Sequence, residues 1–222
     1  VEVCLPGALE LTGRRESAKE ILDVLEDDRI YFDESHGGVT FSGGEPFAQP
    51  EFLRELLEGC RDRELDVVLD TCGHVAPDTF QELAPLASHL LFDLKLMDED
   101  RHEAFAGVNN RWILENLRWA TGNGRPGKRP SVTVRIPLIP GVNDDEENLR
   151  AVVRFLNDLK VPPDVDLLPY HRLGVGKYDR IGREYQLSQV VPPADHVISS
   201  AVRILEDGGL TVTVRGERYG DD

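Results

Sequence analysis

The sequence predicts an α/β fold built on a parallel sheet, and three observations carry that expectation. Short runs of β-branched and aromatic residues alternate with longer stretches of helical periodicity, the mark of repeated βα units. The predicted strands end on glycine or polar residues at 43–45, 70–71, 93–95, 135 and 171. Right-handed crossovers bring the ends of successive parallel strands to one face. Ligands sit at the carboxyl ends of strands in such folds, so the pattern also predicts a single polar pocket.

The 222 residues, 40% hydrophobic and 30% charged, suit one globular domain with a sizeable core. No apolar run is long enough to span a bilayer, and the N-terminus has no signal-peptide pattern. A cytoplasmic location without a membrane partner is expected. The net charge of -16 repels phosphates, which argues against nucleic-acid binding. Three cysteines, Cys4, Cys60 and Cys72, imply no disulfide framework.

The chain starts abruptly with Val1-Glu2-Val3-Cys4-Leu5-Pro6-Gly7-Ala8-Leu9. Ser17-Ala18-Lys19-Glu20 is a capping box that opens a helix with Ile21, Leu22, Val24 and Leu25 on its apolar side. Ile30-Tyr31-Phe32 leads toward the first predicted strand, Val39 to Phe41. Ser42-Gly43-Gly44 breaks that strand. The two glycines let the backbone approach a ligand without a Cβ in the way. Glu45 sets a carboxylate at the strand end, suited to a ligand ammonium group or to solvent, and Pro46 fixes the exit. Pro50 starts a helix with Phe52, Leu53, Leu56 and Leu57 at helical spacing, and Cys60 ends its apolar face as a core thiol.

Leu65 to Leu69 reads as the next strand and ends in Asp70-Thr71-Cys72-Gly73. A short helix spans Pro77 to Leu86. The strand His89 to Phe92 ends in Asp93-Leu94-Lys95, where Asp93 and Lys95 share a side at period two. They serve either one ligand or each other as an ion pair. His102 is expected on a helix, positioning a loop. Trp112 to Ala120 is an amphipathic helix, and the Gly/Pro-rich loop 122–130 follows it. In the strand Val132 to Ile136, Arg135 interrupts an apolar run and needs an anion. That anion is either a ligand carboxylate or Asp93 or Asp70. A helix over Asn148 to Lys160 precedes the strand Val165 to Leu168, which ends in Pro169-Tyr170-His171. A long loop follows, then a helix over Ala194 to Leu205 and a strand over Leu210 to Val214.

Gly43-Gly44-Glu45, Asp70-Thr71, Asp93-Leu94-Lys95 and Leu167-Leu168-Pro169-Tyr170-His171 together resemble the radical S-adenosylmethionine (SAM) superfamily. More closely they resemble the activating enzymes of glycyl radical enzymes, the pyruvate formate-lyase activating enzyme type. The resemblance runs in order along nearly the whole chain. It implies an incomplete (β/α)6 partial barrel over residues 13–222, lacking its first strand and cluster loop. It also implies reductive cleavage of SAM to a 5′-deoxyadenosyl radical that takes hydrogen from a glycine of the partner enzyme. On that likeness Gly43, Gly44 and Glu45 hold the SAM amino group, and Asp93, Leu94 and Lys95 meet its ribose and carboxylate. Arg135 pairs with the carboxylate, His171 touches SAM, and Ile136 with the following proline turn walls the adenine. Asp70 and Thr71 hold a monovalent cation, for which oxygen ligands are suited. Cys72 is not expected to be a cluster ligand.

The family uses a [4Fe-4S] cluster on a CxxxCxxC loop, and no such spacing occurs here. The resemblance therefore implies that residues upstream of Val1 carry the first strand and the cluster ligands, and that this chain is inactive alone. No catalytic residue is assigned. Residues 1–12 resemble the end of a ferredoxin-like insertion, with the proline displaced by one position. Cys4 would then be the last ligand of an accessory [4Fe-4S] cluster, or else a lone thiol. The implied partners are a pyruvate formate-lyase-like glycyl radical enzyme and an electron donor such as flavodoxin or ferredoxin. The alternatives are a radical SAM enzyme acting on a small molecule and a non-catalytic module that docks a partner protein. A hydrolase or isomerase on a similar barrel would need a nucleophile or metal set that the sequence does not offer.

Overall fold

The computed structural model describes residues 13–122 and 129–219, with Asp179 described by its backbone alone. Cys4, the assignment of residues 1–12 and the tip of the 122–130 loop lie outside the described residues. Helices Ala18–Asp27 (α1) and Arg29–Ser35 (α2) precede strand Val39–Phe41 (β1). Helix Pro50–Asp62 (α3), strand Val67–Thr71 (β2), helix Pro77–Leu83 (α4) and strand His89–Asp93 (β3) follow. Helices Glu99–Ala106 (α5) and Arg111–Gly122 (α6) lead to strand Ser131–Leu138 (β4). The chain continues with helix Glu146–Asn157 (α7), strand Asp164–Pro169 (β5), helix Val175–Arg180 (α8), helix Asp195–Asp207 (α9) and strand Val212–Val214 (β6).

The capping box forms as the sequence predicts. Ser17 Oγ accepts from the Glu20 N–H at 3.3 Å, and the Ser17 N–H donates to Glu20 Oε2 at 2.7 Å. Helix α5 carries His102 as its buried residue, as the sequence predicts. Two stretches differ from expectation. Ile30–Phe32 belongs to α2, a helix without a buried residue. The long loop behind β5 contains α8. Both helices are short, so hydrophobic periodicity carries little signal there.

All six strands run parallel, and their order in the sheet is their order in the chain. Right-handed crossovers between sequential neighbours put every connection on the same face, so the sheet curls as in a barrel. It does not close: among the described residues β1 pairs only with β2, and β6 only with β5.

Alternation sorts each strand into two faces. Leu69, Leu90, Phe92, Val134, Ile136, Leu138, Val165 and Leu167 are buried in the core beneath the helices. Asp70, Asp93, Arg135 and Asp166 occupy the intervening positions and share the other face. Phe80 is a hub of the helix side, with ring centroids 5.3 Å from Phe47, 6.1 Å from Phe92 and 6.0 Å from Trp119. Phe47 lies two residues past Glu45, so this aromatic packing anchors the exit of the first strand to the core.

Candidate functional site at the strand carboxyl ends

The β3–β4 register sets Asp93 directly beside Arg135. Arg135 Nε and Nη2 donate to Asp93 Oδ1 at 3.0 and 2.8 Å, and Nη2 also donates to Asp70 Oδ1. Asp70 Oδ2 accepts from Ser42 Oγ at 2.9 Å, which ties β2 to the end of β1. Lys95 Nζ stands 3.8 Å from Asp93 Oδ2. The Arg135 side chain is 18% exposed and each aspartate 23%, so the cluster sits at a half-dry strand end. Burial pushes the guanidinium pKa down, but the two carboxylates outweigh it and hold it above its ordinary value. Of the two partners left open for Arg135, the structure provides the protein carboxylates. Arg135 Nη1 donates to no protein group among the described residues, leaving donors for a further acceptor.

At the end of β1 the backbone turns through Gly43 at φ 131, a left-handed conformation that favours glycine. A Cβ on Gly43 or Gly44 would meet open space, so at Gly43 conformation, not packing, calls for glycine. The Glu45 side chain does something the sequence did not suggest. Its Oε1 accepts from Thr71 Oγ1 at 2.6 Å and from the Phe47 N–H at 3.3 Å. Its Oε2 accepts from the Cys72 N–H and Sγ, both at 3.0 Å. The carboxylate is therefore a strap between the ends of β1 and β2. It does not stand free for a ligand ammonium group, and the groups left to such a ligand are backbone atoms of the glycine turn.

Thr71 is 2% exposed; its hydroxyl donates to Glu45 and accepts from the Gly73 N–H at 2.8 Å. Gly73 is needed twice over, by φ 69 and by the Phe92 ring, which would lie 2.2 Å from an added Cβ. Burial, and then Glu45, push the Cys72 thiol up to about 11. Cys60 is wholly buried, as the sequence predicts.

Other expected site residues separate by face. Leu94 is 1% exposed and packs in the core, its N–H donating to the Arg135 carbonyl at 2.9 Å. Ile136 faces the core on the side opposite Arg135 and cannot wall a ligand. Pro137, one position on, shares the Arg135 face. His171 lies exposed just past β5, its Nδ1 accepting from the Leu173 N–H at 3.3 Å, and is not joined to the charged cluster. His102 is buried on α5, its Nδ1 2.7 Å from the Val108 carbonyl, which fits a loop-positioning role. Asp166 was missed. It pairs with Arg135 in register and accepts from Thr213 Oγ1 at 2.9 Å and the Gly216 N–H at 2.8 Å, pinning the end of β6. A charge inside an apolar strand was its signal, as for Arg135.

A cavity of about 560 Å³ opens beside Lys95, walled by Leu96, Ile139, Val142, Tyr178 and Tyr185. Tyr185 OH lies 2.8 Å from Tyr170 OH, which fastens the segment behind β5 over this space. A second hollow, of about 360 Å³, flanks Gly43–Pro46 and is walled by Ile21, Phe41 and Phe52. Among the described residues, no group of three His, Cys, Asp or Glu side chains is placed to hold a metal ion. No helix there is long and apolar enough to cross a membrane.

This geometry has relatives. Residues 4–153 match the family described as the radical SAM superfamily. The chain is 35% identical over 94% of its length to the trans-4-hydroxy-L-proline dehydratase activating enzyme of Clostridioides difficile, and spans 68% of that protein. It is 39% identical over 81% of its length to the choline trimethylamine-lyase activating enzyme of Oleidesulfovibrio alaskensis, and spans 57% of it. The crystal structure of a domain of pyruvate-formate lyase-activating enzyme from Bacteroides vulgatus superposes with a TM-score of 0.66. That match is at 35% identity, over 81% of this chain and 99% of that one. The chain therefore belongs to the radical SAM superfamily and, within it, to the activating enzymes of glycyl radical enzymes.

Proposed function

We propose that this chain is the SAM-binding core of a glycyl radical enzyme activating enzyme, with residues 13–222 forming the partial-barrel core. One observation carries the proposal: Arg135 bracketed by Asp70 and Asp93, with Lys95 beside them, at the mouth of the strand ends. The methionyl end of SAM is a zwitterion and needs both signs of charge close together, in a site dry enough for them to count. The free donors of Arg135 and the Lys95 ammonium suit its carboxylate. The backbone at Gly43, Gly44 and Glu45 suits its amino group. Asp93 and the backbone of Leu94 suit the ribose, and His171 would reach SAM by a turn of its exposed loop.

Bound here, SAM would supply radical chemistry through one-electron cleavage, the electron coming from the donor protein, to serve hydrogen abstraction from a glycine of the partner. The protein's own part is to bind, orient and shield. The family implies a [4Fe-4S] cluster, but the cysteines here do not make its ligand set. Cys60 is sealed in the core, Cys72 is bonded to Glu45, and Cys4 lies outside the described residues. No cluster step is assigned to this chain. Cys4 as a ligand of an accessory cluster, at the end of a ferredoxin-like segment 1–12, belongs to the same proposal. So does a monovalent cation at Asp70 and Thr71, which must compete with Arg135 for Asp70. The partner is a glycyl radical enzyme of the pyruvate formate-lyase kind, in the cytoplasm, with flavodoxin or ferredoxin as donor. A docking module without radical chemistry is the second reading, favoured by Cys60 and Cys72, neither of which is free to hold a cluster.

Anaerobic reconstitution tests the proposal. The 222-residue chain is compared with the same chain joined at its N-terminus to a CxxxCxxC segment, counting iron and 5′-deoxyadenosine. Iron and SAM cleavage in the joined form alone support it. Cleavage in neither form, with both folded, overturns it in favour of the docking module.

A further inference from the structure

The β3–β4 ladder ends where the Leu94 N–H donates to the Arg135 carbonyl at 2.9 Å. Beyond it, Lys95, Leu96 and Met97 run outside the named strands, yet their three carbonyls and the Met97 N–H are met by asparagine side chains. Asn143 Nδ2 donates to the Lys95 carbonyl at 2.9 Å and to the Pro137 carbonyl at 2.6 Å, while its Oδ1 accepts from the Ile139 N–H at 2.8 Å. Asn148 Oδ1 accepts from the Met97 N–H at 3.0 Å, and its Nδ2 donates to the Asn143 carbonyl at 3.1 Å. Asn110 Nδ2 donates to the Leu96 and Met97 carbonyls at 3.0 and 2.9 Å. The three asparagines are 0%, 3% and 3% exposed for Asn143, Asn148 and Asn110. They come from three different elements: the turn behind β4, the first turn of α7 and the segment before α6.

Loops satisfied by buried side chains from several elements have one conformation, because each lost bond would leave a dry polar group unpaired. We propose that Asn110, Asn143 and Asn148 are positioning residues of the site. They replace the missing ladder and hold Lys95 on the Asp93 side, at the wall of the 560 Å³ cavity. The carboxamide is required because each position asks for a donor, and Asn143 and Asn148 ask for an acceptor as well. The part of this inference that concerns SAM rests on the function proposed above.

The test uses the full chain with Asn143→Ala, Asn148→Ala and, as a control for lost stability alone, Leu205→Ala in the core under α9. Asn110→Ala stands in for Asn143→Ala if the latter does not fold. Two readouts are taken where every variant is folded. Hydrogen exchange at the Met97 amide should accelerate about tenfold in Asn148→Ala, the loss of one bond to a buried acceptor, with the β3 amides unchanged. Acetylation of Lys95, read by mass spectrometry, should accelerate in both asparagine variants and not in Leu205→Ala. The SAM dissociation constant should rise about tenfold in the asparagine variants, as expected when a charge partner is displaced, and stay near wild type in Leu205→Ala. Exchange and acetylation equal to wild type overturn the proposal, as does SAM affinity that follows stability alone. If the wild-type chain itself binds no SAM, the proposed function fails, and the exchange and acetylation rates decide whether the asparagines hold Lys95.

Discussion

Changing Glu45 to Gln removes a charge and almost no volume, yet it should destabilise the protein nearly as much as truncation to Ala. Four donors converge on the Glu45 carboxylate: the Thr71 hydroxyl, the Phe47 N–H, and the Cys72 N–H and S–H. A carboxylate only accepts, so it answers all four. A carboxamide brings its own donors to one side. Turned with its oxygen toward Thr71 and Phe47, it faces the Cys72 N–H with an NH2. Turned the other way, it faces the Thr71 hydroxyl, which is 2% exposed and already accepts from Gly73. One buried donor left unpaired costs about 1–3 kcal/mol, and the remaining bonds lose their charge assistance. The sum is about 3 kcal/mol, or roughly 6–12 °C in Tm for a chain of this size. Urea unfolding at pH 7 of wild type, Glu45→Gln and Glu45→Ala, with exposed Glu55→Gln as a control, measures it. Glu45→Gln within about 0.5 kcal/mol of wild type, the usual range for a neutral surface change, would refute the strap.

Three further outcomes follow from the same geometry. The Cys72 thiol is raised from 9.0 to about 11, so the folded state keeps its proton while the unfolded chain ionises. Its contribution is intact below about pH 9 and lost as pH rises toward 11. Wild type should therefore lose more stability than Cys72→Ser over that window in denaturant titrations. Arg135→Met should cost about 3 kcal/mol by leaving two half-dry carboxylates side by side, and adding Asp70→Asn and Asp93→Asn should recover part of it in a mutant cycle. Gly73→Ala should be among the costliest single methyl additions in the chain, about 3 kcal/mol, because φ 69 and the Phe92 ring both oppose it. Thermal unfolding beside Gly107→Ala, where φ is also positive but the space is open, separates the steric part.

What the sequence revealed depended on how locally each feature is determined. The capping box at Ser17 and the proline start at Pro50 involve neighbours within four residues, and both form as read. Alternation set Asp93 and Lys95 on one side, Arg135 stood out as a charge in an apolar strand, and parallel topology gathered the strand ends. The same alternation turns Ile136 and Leu94 into the core, away from the pocket face. The role of Glu45 was hidden because its partners are 26 and 27 residues away. A carboxylate at a strand end looks the same whether it meets a ligand or a neighbouring strand. The asparagines were hidden for the opposite reason. In loops this residue usually serves its own turn, and nothing in the sequence tells Asn143 to reach the Lys95 carbonyl.

The most direct test of the central claim is saturation-transfer NMR of SAM with the 222-residue chain, a method that detects weak binding. The account predicts saturation of the adenosine and methionyl protons, competed by S-adenosylhomocysteine and abolished in Arg135→Met at a temperature where that variant remains folded. No transfer to SAM from the folded wild-type chain, or equal transfer from wild type and Arg135→Met, would contradict it.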